Sequence, residues 1–262
     1  MSILAGSIYV ASTAAFSVLA IVVGVRLVLL SRRTKRRPER SLGLAIALTA
    51  GLGYGTLMAA MIGRRAAGWD DAPSFYALLM GFGWVCHHLG VTFMLDFVRR
   101  VFRPGERWAR FLQVGLCAVL WGGWLADTAH GGMTALRPGI YYWISFSVIG
   151  TYPLWAAAEA LHYWSLMRKR VKLGLADPLV ANRFLLWSVA ALCTVTSIWT
   201  VQVPTLLGYE QLSPDAAHIT SLTMVGTSAL GIVTIGAYWL TFFPPKWYRA
   251  RFAVKEPSEA NS

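Results

Sequence analysis

The chain has 262 residues, of which 56% are hydrophobic and only 14% charged, against roughly 25% charged in a soluble domain. That balance, with a mean hydropathy of +0.52, excludes a soluble globular domain, a disordered chain and a disulfide-stapled secreted fold. The formal net charge of +12 is not a nucleic-acid signature, because the basic residues punctuate apolar runs instead of forming a patch on a polar domain.

Seven stretches are long enough to cross a hydrocarbon core about 30 Å thick as helices. In chain order they are Ser7–Ser31, Leu42–Ile62, Ser74–Val98, Ala109–Thr128, Ile140–Ser165, Phe184–Leu206 and Ala217–Phe243. Membrane β-strands would read as short alternating segments; these runs are continuous. They predict an all-α membrane protein, a seven-transmembrane-helix bundle within residues 1–254. The polar end Lys255–Ser262 predicts a disordered cytoplasmic tail.

Orientation follows from arginine and lysine. Basic residues cluster after span one (Arg32 to Arg40), after span three (Arg99 to Arg110), after span five (Arg168 to Arg183) and after span seven (Lys246 to Lys255), whereas the opposite flanks hold only Arg64, Arg65 and Arg137. The positive-inside rule then predicts the N-terminus outside and the C-terminus cytoplasmic, in a multi-pass protein of the plasma membrane, or the inner membrane of a bacterium. The first basic residue is Arg26, so span one is expected to stay as an anchor and not to be cleaved as a signal. Tyr141, Tyr142 and Trp143 at one end and Trp247 and Tyr248 at the other fit aromatic belts at headgroup level. The basic clusters are expected to meet anionic headgroups, at about 1 kcal/mol per residue, and could dock a separate acidic partner protein.

Within the spans, polar residues carry the information, because lipid penalises them. Span two repeats small residues at Ala47, Gly51, Gly55 and Ala59, which lets two helices approach closely, within the chain or as a homo-oligomer. Span three places Trp84, His88, Thr92 and Asp96 at four-residue spacing on one face. Span five carries Tyr152, Trp155, Glu159 and His162, with Pro153 expected to kink the helix and free a carbonyl near Ile149; span six carries Trp187. The ligand-binding or proton-path candidates are therefore Trp84, His88, Thr92, Asp96, Tyr152, Trp155, Glu159 and Trp187. Arg26, Asp96 and Glu159 share a depth and predict a structural ion network, since isolated charges in lipid are costly. Asp96, Glu159 and His162 make a weak metal set: Glu-x-x-His occurs once here, against twice in di-iron bundles.

Other chemistries lack their parts. Cys86, Cys117 and Cys193 fall in three different spans without a Cys/His partner motif. No lysine lies in span seven for a retinal Schiff base, and no two histidines match in depth on different helices for a bis-His haem. No nucleophile elbow is present, and no catalytic residue or cofactor is assigned. Three functions stay open. A receptor-like or accessory protein binding a small or lipidic ligand inside the bundle leads, followed by a proton-coupled carrier or channel using His88, Asp96 and Glu159. A metal-dependent intramembrane enzyme comes last.

Overall fold

Apolar runs in a medium without hydrogen-bonding solvent must satisfy their backbone internally, and helices do this within one segment. The computed structural model describes residues 3–35, 37–67, 74–132, 138–209 and 217–252; among these there is no strand. The helices are α1 (Ile3–Thr34), α2 (Arg37–Ile46), α3 (Tyr54–Ala67), α4 (Ser74–Phe102), α5 (Arg107–Ala129), α6 (Ile140–Lys172), α7 (Pro178–Leu206), α8 (Ala217–Phe242) and the short α9 (Lys246–Ala250). A π-helical segment, Ala47–Gly53, joins α2 to α3 into one rod. Arg137 and the 255–262 tail lie outside the described residues.

Six helical rods are long and apolar enough to cross a membrane: α1, the α2–α3 rod, α4, α5, α7 and α8. The chain is thus a multi-pass helical membrane protein. The remaining stretch counted from sequence forms α6, which at 33 residues has the length but falls short in apolarity. Its tyrosines, serines, Glu159 and His162 lower its hydropathy, and its buried residues, from Ser145 to Ala160, explain how it carries them. A helix that faces protein on one side can hold polar groups that lipid would reject.

The rods close into a ring in which α1 packs on the α2–α3 rod, that rod on α4, α4 on α6, α6 on α7, α7 on α8, and α8 back on α1. The fifth helix packs mainly on α6 and is the least buried of the six apolar rods, with 17% of its apolar stretch buried against 50% for α4. So α4 is the helix through which the interior is organised. The main core gathers Leu95, Val91 and Val98 of α4 with Leu120, Val148, Ala156, Ala160 and Trp187.

Several helices outrun the apolar stretches. The sixth continues seven residues past Ser165 to Lys172, and the seventh starts at Pro178, ahead of Phe184. Charged residues extend a helix into the headgroup layer without cost because their long stems let the charge reach water. Between these two helices the chain turns on Gly174 (φ +70°), where Leu175 N–H donates to Arg170 O and Gly174 N–H to Val171 O, the paired bonds of a Schellman cap. Asp177 then caps α7, accepting from Leu179 N–H at 2.7 Å, with Pro178 in the first turn where its missing N–H is harmless.

The small-residue stripe of span two packs inside the chain. A Cβ on Gly51 would come within 2.6 Å of Ile21, and one on Gly55 within 3.0 Å of Ser17, so α1 occupies that face. Pro153 interrupts the ladder of α6 without ending the helix. The group supplied at this level from outside is the Trp199 indole, which donates to Gly150 O at 3.0 Å, one residue beyond the carbonyl expected to be freed.

Candidate functional site

The stripe on α4 faces the bundle, its members fall in two places, and a cavity lined by other residues makes a third. The first centres on His88, 1% exposed. Its Nδ1 lies 2.8 Å from Trp84 O and its Nε2 3.0 Å from Ser145 Oγ. A carbonyl only accepts, so the neutral ring carries its proton on Nδ1 and presents the Nε2 lone pair to the serine hydroxyl. Ser145 Oγ also donates to Leu120 O at 2.9 Å, so its single proton serves one of the two acceptors at a time. One side chain thus ties α4, α6 and α5 together at mid-span.

Aromatic rings enclose this histidine. Trp84, Trp121 and Trp124 lie with ring centroids 5.6, 5.4 and 5.6 Å away. Thr92, one turn on, returns its hydroxyl proton to His88 O at 2.9 Å and accepts from Trp121 Nε1 at 3.1 Å. Ser145, Trp121 and Trp124 were not legible as partners, since each is an ordinary helix residue until the neighbouring helix is rotated into place. His87 Nδ1 and Trp124 Nε1 are buried without a hydrogen-bond partner.

The second place is the end of the bundle around Asp96 and Arg103, and it corrects the expected ion network. Asp96 is held by Arg100 at 2.7 Å, Arg99 at 3.1 Å and Ser41 at 3.1 Å. Glu159, 4% exposed, accepts from Arg103 at 2.8 Å and from Trp155 Nε1 at 3.1 Å. Arg26 joins neither carboxylate; its guanidinium lies over the Phe243 ring, 4.3 Å from the centroid. The reason is geometric. Asp96 finds its cations three and four residues along its own helix, where they are already neighbours, while Arg26 is exposed on α1 and lies over Phe243. Arg103, in the α4–α5 turn, binds its proton more firmly than an ordinary arginine because the Glu159 carboxylate accepts from it. His162 is exposed, and among the described residues no three His, Cys, Asp or Glu side chains gather as a metal site requires. Asp96, Glu159 and His162 therefore do not form the weak metal set.

The third place is a small, partly open cavity of about 20 Å³ between α4, α6, α7 and α8, lined by Met94, Tyr152, Pro153, Ala156, Trp187, Ala191, Thr194 and Tyr238. Tyr152 and Trp187 of the predicted set reach it; Tyr238 and Thr194 join them. The Trp187 ring packs edge-on to Tyr238 at 6.0 Å and against Phe97 at 5.3 Å. The space suits about one water molecule, which needs roughly 10–15 Å³ and polar partners. A larger groove of about 690 Å³ runs along Ser74, Ala77, Leu78, Gly81 and Phe82, but it is open and its described walls come from α4 alone. No known family model, curated protein or solved structure matches the chain.

Proposed function

We propose that this chain is a receptor-like or accessory protein of the plasma membrane, with seven spans, α6 included, and its C-terminus in the cytoplasm. It takes a small or lipidic ligand between α4, α6, α7 and α8 and acts through a separate partner protein. The observation that carries this reading is the cavity where four helices meet, walled by two tyrosines, a tryptophan and a threonine. Binding sites in bundles combine an apolar wall with a few convergent polar groups in this way. Pockets for drug-sized ligands measure roughly 300–1,000 Å³, so a ligand larger than water enters by parting the helices. Selection of a more open arrangement is the means by which occupancy would reach the cytoplasmic face.

The test is mass spectrometry of solvent extracts from purified protein, comparing wild type with Ala191→Phe, which fills the cavity. One small molecule at near-stoichiometric yield from wild type and absent from the variant is expected; none from either removes the ligand.

The proton-coupled carrier has less support, because Asp96 and Glu159 each have a guanidinium counter-ion and sit as latches between helices. Reconstituted vesicles are expected to show no proton flux above the lipid background. Flux abolished by Asp96→Asn would replace the receptor reading with the carrier. Orientation is checked separately: a tag at Ser262 is expected to be inaccessible from outside intact cells and accessible after permeabilisation.

A further inference from the structure

Arg26 is a charge inside span one with no carboxylate partner among the described residues. It is exposed and lies about 12 Å before the end of α1 at about 1.5 Å per residue. A guanidinium in that position reaches toward the headgroups and seeks an anion. Its surroundings are arranged for one. The Phe243 ring supports one face of the guanidinium at 4.3 Å, leaving its N–H edges free, and that edge is the part that reads phosphate with two parallel hydrogen bonds.

Immediately after Phe243, Pro244 and Pro245 turn the chain into α9, where Trp247 is 58% exposed and Arg251 stands over its ring at 5.2 Å. Asn182 of α7 donates to the Tyr248 hydroxyl and pins α9 at this end of the bundle. The α1–α8 corner therefore combines a ring-supported arginine below the surface with an exposed tryptophan, Lys246 and Arg251 at the surface. Asp96 and Glu159 are already engaged by other arginines.

We infer that the α1–α8–α9 corner is a binding site for an anionic phospholipid, whose phosphate is the counter-ion of Arg26 and whose headgroup meets Lys246 and Arg251. The site is independent of the interior cavity and needs only the membrane setting. Arg26 supplies the phosphate contact and Phe243 fixes its orientation. Trp247 holds the headgroup layer at the level of α9.

The test uses the full chain released from nanodiscs made of equal parts phosphatidylcholine and phosphatidylglycerol, with native mass spectrometry counting retained lipid. Wild type is expected to keep phosphatidylglycerol in preference to phosphatidylcholine. Arg26→Gln is expected to reduce that retention about five-fold, and Arg110→Gln, at an exposed arginine of a basic cluster without a supporting ring among the described residues, by clearly less. Phe243→Leu keeps apolar volume but removes the ring face, and is expected to weaken retention about two- to five-fold; it carries the test if Arg26→Gln does not fold. Equal retention of both lipids by wild type, unchanged retention in Phe243→Leu, or a loss in Arg110→Gln as large as in Arg26→Gln overturns the site.

Discussion

Replacing Gly90 by alanine is expected to destabilise the bundle more than any other single methyl added to a helix. A Cβ there would stand 2.1 Å from Thr49 Oγ1, 2.5 Å from Thr49 N and 2.9 Å from Thr49 Cα. The obstacle is mostly backbone, so a rotamer change cannot relieve it. The π-helical turn around Thr49 must move away from α4, and overpacking of this kind costs about 1–3 kcal/mol or more. Removing the threonine side chain does not help, because the amide and Cα remain: Gly90→Ala/Thr49→Gly is expected to be no more stable than Gly90→Ala alone. Gly63, Gly122 and Gly236 have nothing within 4 Å of a built Cβ. Alanine at those positions is expected to be neutral or to stabilise by about 0.5–1 kcal/mol through helix propensity. Thermal unfolding in one detergent, followed by circular dichroism, gives the comparison. A midpoint for Gly90→Ala equal to that of Gly122→Ala would mean that α4 and the π segment do not touch as described.

His88→Ala is the second large effect. It empties a site enclosed by Trp84, Trp121 and Trp124 and removes one of the two acceptors within reach of the Ser145 hydroxyl. Truncating a large ring in a core costs about 3–5 kcal/mol, and the Ser145 hydroxyl keeps the alternative acceptor Leu120 O at 2.9 Å, so no abandoned donor adds to that cost. That alternative makes a sharper test possible. Ser145→Ala should cost only about 1 kcal/mol, and the pair should couple by roughly 0.5–3 kcal/mol in a double-mutant cycle. Additive effects would show that His88 is held by its rings and by Trp84 O alone. Thr92→Val should be milder still, since the hydroxyl bonds back to its own helix and Trp121 loses one acceptor.

The two substitutions probe the helix that organises the interior, and they bear on function through the third place on its face. The cavity beside Met94 lies one to two turns beyond His88 on α4, and the latches at Asp96 and Arg103 follow it. A shift of α4 that opened the cavity would load those latches directly, because Asp96 binds Ser41 of α2 while Arg103 binds Glu159 of α6. This is why the ligand reading and the cytoplasmic partner belong to one proposal.

Sequence by itself determined the solvent and the secondary structure: uninterrupted apolar runs cannot be hydrated, and a bilayer leaves the backbone few ways to bond except as helices. It also determined which residues share a face, because helical periodicity is local; Trp84, His88 and Thr92 lie together for that reason. Only the tertiary structure decided what each face meets. The rotation and height of one helix against the next depend on close approaches such as Gly90 to Thr49 and Gly51 to Ile21, which involve residues far apart in the chain. Equal depth therefore did not bring Arg26 to Asp96 and Glu159. The carboxylates took nearer arginines, Ser145 on α6 became the partner of His88, and Arg26 was left facing the lipid with an aromatic ring beneath it.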